Sequence, residues 1–125
     1  FGRVDYTMSH GMDRDDINSS KKITDSVIEV AKHASKNDLK LVVGGAVSID
    51  ALSILKEIKK THLNRFETRK VIFSSDALEI KDLSKGMLEA INFELLWLKN
   101  KKNYYGSIFQ EDDKRIKMLS DRWKV

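Results

Sequence analysis

The chain has 125 residues, 41% hydrophobic and 34% charged, which is the size of one domain with a modest core and excludes a disordered or fibrous polymer. It contains no cysteine, so disulfide staples and thiolate metal sites are ruled out and a reducing compartment is compatible. The absence of proline suits helices and short turns. No apolar run approaches the ~20 residues of a membrane helix and no signal-peptide pattern is visible, so no membrane partner and a cytoplasmic location are expected. The net charge of +4 is unevenly spread: from Lys99 to Val125, eight basic residues (Lys124 among them) stand against four acidic ones. A polyanion-binding surface would look like this, but so does an ordinary solvated helix face.

The opening stretch, Phe1-Gly2-Arg3-Val4-Asp5-Tyr6-Thr7-Met8, offers Phe1, Val4, Tyr6 and Met8 as the body of a buried strand, which Ser9, His10 and Gly11 turn away. Asp5 interrupts that run. A carboxylate in or just past a buried strand must be paired, hydrogen-bonded or bound to a cation. It therefore either ligates a metal at the mouth of a sheet, or pairs with Arg3 or caps the next loop. Gly11 to Ser20 is a polar connection in which Asp13, Asp15 and Asp16 hint at a calcium loop but lack its glycine and terminal glutamate. Ser19 or Ser20 can cap the helix that follows, whose inward face is Ile23, Val27, Ile28, Ala31 and Ala34. His33 falls near its end, where the helix dipole favours a cation.

Asn37-Asp38 ends that helix, and Leu39 to Val43 reads as a short strand closed by Gly44-Gly45. Ser48 is placed to cap a helix built on Ile49, Leu52, Leu55 and Ile58. Strand, glycine pair and helix start make an anion site conceivable, without the spacing of a dinucleotide or phosphate loop. Thr61 to Thr68 reads as a polar turn, and Arg69 to Phe73 as a third strand stopped by Ser74-Ser75-Asp76. Strands that each lead into a helix imply parallel pairing with right-handed crossovers. A long helix is expected from about Leu83 to Asn100, with Met87, Leu88, Ile91, Leu95 and Leu98 on its apolar stripe. Lys101 to Gly106 would break it, and Ser107 with Gln110 would cap a final helix. Those two wide apolar faces suggest a contact with another chain or domain. Tyr104 and Tyr105 between lysines would also suit a single-stranded nucleic acid, a less expected partner.

The segment Gly2-Arg3-Val4-Asp5-Tyr6-Thr7, with Gly11 a few residues on, resembles the Gly-x-x-Asp-Leu/Tyr-Ser/Thr motif of the metal-dependent pyruvate aldolase and citrate lyase β-subunit family. Leu41 to Ala46 and Val71 to Asp76 follow in the order of that family's last two strands. The resemblance covers roughly Phe1 to Phe93. It implies an α/β fold of three parallel βα units like the C-terminal part of a TIM (β/α)8 barrel at 1–100, with a C-terminal helical extension at 101–125 that packs between subunits. It further implies Asp5 as a ligand of Mg²⁺ or Mn²⁺, and the Val4 and Asp5 amides as contacts for the substrate carboxylate. The ion would stabilise the enolate of a 2-oxo acid or acyl-thioester (acyl-CoA-like) substrate as a carbon–carbon bond breaks or forms. Ser9, His10, Gly44, Gly45 and Ser74 would lie at the rim. The family's second acidic ligand and its arginine come from earlier strands. A missing N-terminal barrel segment or another chain would have to supply them, and a homo-oligomer is expected. The alternative is a non-enzymatic, flavodoxin-like module that binds an anion or a protein partner at Gly44-Gly45.

Overall fold

The computed structural model describes residues 1–123; Lys124 and Val125, the end of the expected extension, lie outside the described residues. The chain is mixed α/β and divides into two units, Phe1–Asn92 and Phe93–Val125.

In the first unit the elements are α1 (Arg3–Ser9), α2 (Lys21–Lys36), β1 (Val42–Val43), α3 (Leu52–Lys59), β2 (Arg65–Glu67), β3 (Ile72–Ser74) and the start of α4 (Leu83–Trp123). Short 3-10 turns at Arg14–Asn18, Ile49–Ala51 and Ser75–Glu79 link them. The sheet runs in the order β1-β2-β3, with β1 parallel to β2 and β2 antiparallel to β3. Phe1 and Gly2 extend the parallel part on the other side of β1. Gly2 bridges Gly44 in parallel, the Gly44 amide donates to the Phe1 carbonyl at 3.0 Å, and the Arg3 amide to the Gly44 carbonyl at 2.9 Å. Three neighbouring segments therefore run the same way: Phe1–Gly2, β1 and β2.

The opening is the first correction. Only Phe1 and Gly2 behave as strand, and from Arg3 the chain is helical. The residues that α1 buries are Arg3 and Thr7, one turn apart, while Met8 is exposed. The helix thus turns a polar face inward, held by the Thr7 hydroxyl donating to the Arg3 carbonyl at 2.7 Å, and a pattern of hydrophobic residues carries no sign of it.

The third strand is the second correction. The third parallel segment is Arg65–Glu67, inside the stretch read as a polar turn, because only Phe66 of its three residues is apolar and buried. Ile72–Ser74 folds back on it antiparallel, through a turn in which the Thr68 amide donates to the Val71 carbonyl at 2.9 Å and the Val71 amide to the Thr68 hydroxyl at 3.1 Å. Phe66 and Phe73 are ladder partners whose rings stack 5.1 Å apart, a cross-strand pair that fixes the register.

The core lies between this sheet and α2, α3 and the start of α4. Val27, Ala31, Val43, Ala51, Leu55, Ile58, Phe66 and Met87 are fully buried in it. The expected stripe of α2 is there, and its C-terminal end follows Lys36, where Asp38 adopts a left-handed φ of 54°. Ser48 is the N-cap of the 3-10 turn Ile49–Ala51, which leads straight into α3 at Leu52, though its side chain makes no capping hydrogen bond. Lys59 on α3 reaches Asp76 at 3.6 Å and Glu79 at 3.2 Å, tying α3 to the 3-10 turn after β3.

The second unit, Phe93 onward, is helical through Trp123. No break occurs between Lys101 and Gly106, and Ser107 does not open a new helix: its hydroxyl donates to the Tyr104 carbonyl at 2.8 Å within α4. One glycine costs a helix interior about 1 kcal/mol, too little by itself to stop a helix that runs from Leu83 to Trp123.

Candidate functional site

The site is assembled where the three parallel segments end. After Phe1–Gly2 comes Asp5, after β1 come Gly44 and Gly45, and Glu67 is the last residue of β2. Carboxyl ends of parallel strands are where α/β folds gather ligand-binding groups, since helix starts and loops converge there.

Asp5 lies in the first turn of α1 and is exposed. Among the described residues its carboxylate has no hydrogen-bond or ion-pair partner. Arg3, the obvious candidate, is turned away. It is 1% exposed, and its guanidinium donates to Asn18 Oδ1 at 3.0 Å, to the Gly45 carbonyl at 2.8 Å and to the Ala46 carbonyl at 3.2 Å. Its Nε is the one buried side-chain donor or acceptor without a partner among the described residues. Burial pushes the Arg3 guanidinium down to about 10, because the low-dielectric interior disfavours its charge. It still carries its proton at neutral pH.

The first turn of α1 leaves backbone donors free. The Arg3 amide is used by the Gly44 carbonyl, and the Tyr6 amide donates to the Gly2 carbonyl at 3.1 Å. Between them the amides of Val4 and Asp5 have no carbonyl one turn back, and Gly2 offers no capping side chain. Gly45 packs closely on this turn: a Cβ there would stand 2.6 Å from the Val4 nitrogen and 3.0 Å from the Arg3 nitrogen, so a side chain would collide with the Val4 amide.

Glu67, for which hydropathy and motif spacing suggest no role, adds a second carboxylate. Its Oε1 lies 3.0 Å from where a Cβ on Gly44 would stand, and Asp5 Oδ2 lies 3.4 Å from the equivalent point on Gly2. Gly2 and Gly44 are bridge partners, so both acids flank one short piece of backbone. The signal in the sequence was faint: a glutamate ending a three-residue strand that hydropathy did not reveal. Among the described residues no group of three or more His, Cys, Asp or Glu forms a metal cluster. Asp5 and Glu67 both carry oxygen donors, the ligand type that hard divalent ions take.

The rim residues are dispersed. The Ser9 hydroxyl donates to the Tyr6 carbonyl at 2.7 Å, and the His10 ring rests 4.5 Å from that of Tyr6. The Ser74 hydroxyl accepts from the Asp76 amide at 3.3 Å. The Gly44 amide donates to the Phe1 carbonyl, and the carbonyls of Gly45 and Ala46 accept from Arg3. Beside this turn an open hollow of about 410 Å³ is lined by Arg14, Asp15, Asn18, Ala46, Val47, Ser48 and Asp50. Asp13 and Asp16 are occupied by a reciprocal capping box at the 3-10 turn, an account of the acidic run that needs no calcium. Tyr104 and Tyr105 pack edge to face on one another at 5.4 Å. No helix of the described residues is long and apolar enough to cross a membrane. No family model matches the chain, and no curated protein or solved structure matches it either.

Proposed function

We propose that this chain forms the C-terminal part of a divalent-metal-dependent carbon–carbon lyase of the aldolase and citrate lyase kind, its three parallel segments being consecutive strands of a (β/α)8 barrel. One observation carries the reading: an unpartnered carboxylate, Asp5, stands beside two unpartnered amides, those of Val4 and Asp5, at the carboxyl end of a parallel ladder. Asp5 would hold Mg²⁺ or Mn²⁺, with Glu67 the nearest further oxygen ligand of this chain. The bound ion would supply the positive charge against which a 2-oxo acid or acyl thioester becomes an enolate.

The chain's own residues bind and orient. The Val4 and Asp5 amides donate to the substrate carboxylate, two fixed dipoles that need no reorganisation. Gly44 and Gly45 leave the space that carboxylate occupies. Arg3 holds the Gly45–Ala46 turn against α1 and so fixes the position of the Val4 amide. The catalytic arginine belongs to a part of the barrel supplied from outside this chain, since Arg3 faces inward. The antiparallel β3 lies beyond the three parallel segments and serves as a flank to β2.

The ligand assignment is tested by Mn²⁺ titration followed by electron paramagnetic resonance. Asp5→Asn is expected to weaken Mn²⁺ binding at least ~10-fold while leaving the unfolding midpoint unchanged, because the side chain is exposed and unpaired. Equal Mn²⁺ affinity for both proteins would remove Asp5 from the site.

A further inference from the structure

In the second unit α4 leaves Leu95, Leu98, Tyr105, Phe109, Ile116 and Leu119 between 47% and 70% exposed. These residues follow the alternating steps of three and four that mark a coiled-coil seam, and Lys102 and Asp112 complete the series. The positions opposite the seam are Phe93, at the start of the unit, and then the polar Asn100, Ser107, Lys114 and Asp121. From Asn100 onward the side opposite the seam is thus polar.

We propose that a second copy of this chain packs antiparallel against this seam, in the register that sets Lys102 of each copy against Asp112 of the other. Charge selects both the direction and the register. In an antiparallel pair facing positions run in opposite order, so placing Lys102 on Asp112 also places Tyr105 on Phe109, Leu98 on Ile116 and Leu95 on Leu119. Every apolar seam residue then meets an apolar one. The two-fold axis makes each match twice, and both charged seam positions are neutralised. In the flanking positions Lys99 comes beside Asp113. Lys101 comes beside Arg115, a like-charge contact at the solvated edge where it costs little. A one-heptad slip would set Lys102 and Asp112 against apolar residues. A parallel pair would bury Lys102 against Lys102 and Asp112 against Asp112, which like-charge repulsion forbids. The inference stands on α4 alone and does not depend on the lyase reading.

Sedimentation equilibrium of the full chain tests it with three proteins. The parent is expected to be dimeric. Lys102→Asp, which sets Asp against Asp112 twice, is expected to raise the dimer dissociation constant at least ~10-fold. Adding Asp112→Lys restores opposite charges across an antiparallel seam and should return the constant to within ~3-fold of the parent. Far-UV circular dichroism of each protein shows that helix content is retained. A parent that stays monomeric up to ~100 μM, a dimer indifferent to Lys102→Asp, or a double variant no tighter than the single one would each overturn the proposal.

Discussion

Arg3→Met is expected to lower the unfolding free energy by about 3–5 kcal/mol, roughly 1–1.5 kcal/mol for each of three hydrogen bonds from a charged donor. Methionine fills a similar volume, so the loss does not come from a cavity. It comes from three acceptors left behind: the Asn18 side-chain oxygen and the carbonyls of Gly45 and Ala46. These acceptors belong to half-buried residues, so each left without its donor costs about 1–1.5 kcal/mol, the low end for a buried polar group. Arg3→Lys is expected to recover only part of the loss, since an ammonium cannot reproduce the planar fork that spans a side chain of one turn and two carbonyls of another. Urea unfolding checks the series. The same experiment has a pH signature. Folding holds the Arg3 guanidinium at about 10, below its ordinary value, through burial. The folded state therefore releases this proton first, and the linked stability rises as pH climbs through about 10. Between pH 5 and 9, within ~1 unit of neither value, the Arg3 contribution is flat.

Gly45→Ala is expected to cost about 2–4 kcal/mol, the second-largest effect. Two independent causes add. The residue sits at φ 89°, a left-handed conformation that costs a side chain about 1–2 kcal/mol. In addition, the new methyl would lie 2.6 Å from the Val4 nitrogen, a contact with backbone that cannot swing aside, and overpacking of this kind costs about 1–3 kcal/mol. Gly11, also at positive φ but with nothing near its Cβ direction, serves as the control: Gly11→Ala carries the conformational cost only. Thermal unfolding of both variants separates strain from collision. The comparison bears on function as well, because the atom that Gly45 spares is the Val4 amide of the proposed substrate contact.

How legible these features were depended on the signal each residue sends. The α2 stripe of Ile23, Val27 and Ala31 announces itself, since an apolar side chain every three to four residues has one economical interpretation. The helix α1 does not, because its buried face is Arg3 and Thr7, and their burial depends on Asn18, Gly45 and Ala46, far along the chain. Strand β2 was hidden for a related reason: Phe66 alone is apolar, and its partner Phe73 lies across a turn. The continuity of α4 through Gly106 shows the opposite error, in which a local breaker was given more weight than the helix-forming residues around it. In the site, the glycine-flanked Asp5 was visible as an acid in an apolar run. Glu67 was not, since its place beside Gly44 is created by parallel pairing of β1 and β2 and by nothing in its own neighbourhood.

The account rests on Asp5 acting as a metal ligand beside substrate-binding amides, and exchange of pyruvate methyl protons in D₂O, followed by nuclear magnetic resonance, reaches that claim most directly. The measurement uses the protein together with the barrel segment that the proposed function would require for a catalytic arginine, as parent and as Asp5→Asn, each with and without Mn²⁺. The expected result is exchange in the parent only when Mn²⁺ is present, slowed at least ~100-fold in Asp5→Asn. Exchange that proceeds equally in Asp5→Asn, that ignores Mn²⁺, or that is absent from the Mn²⁺-loaded parent would contradict it.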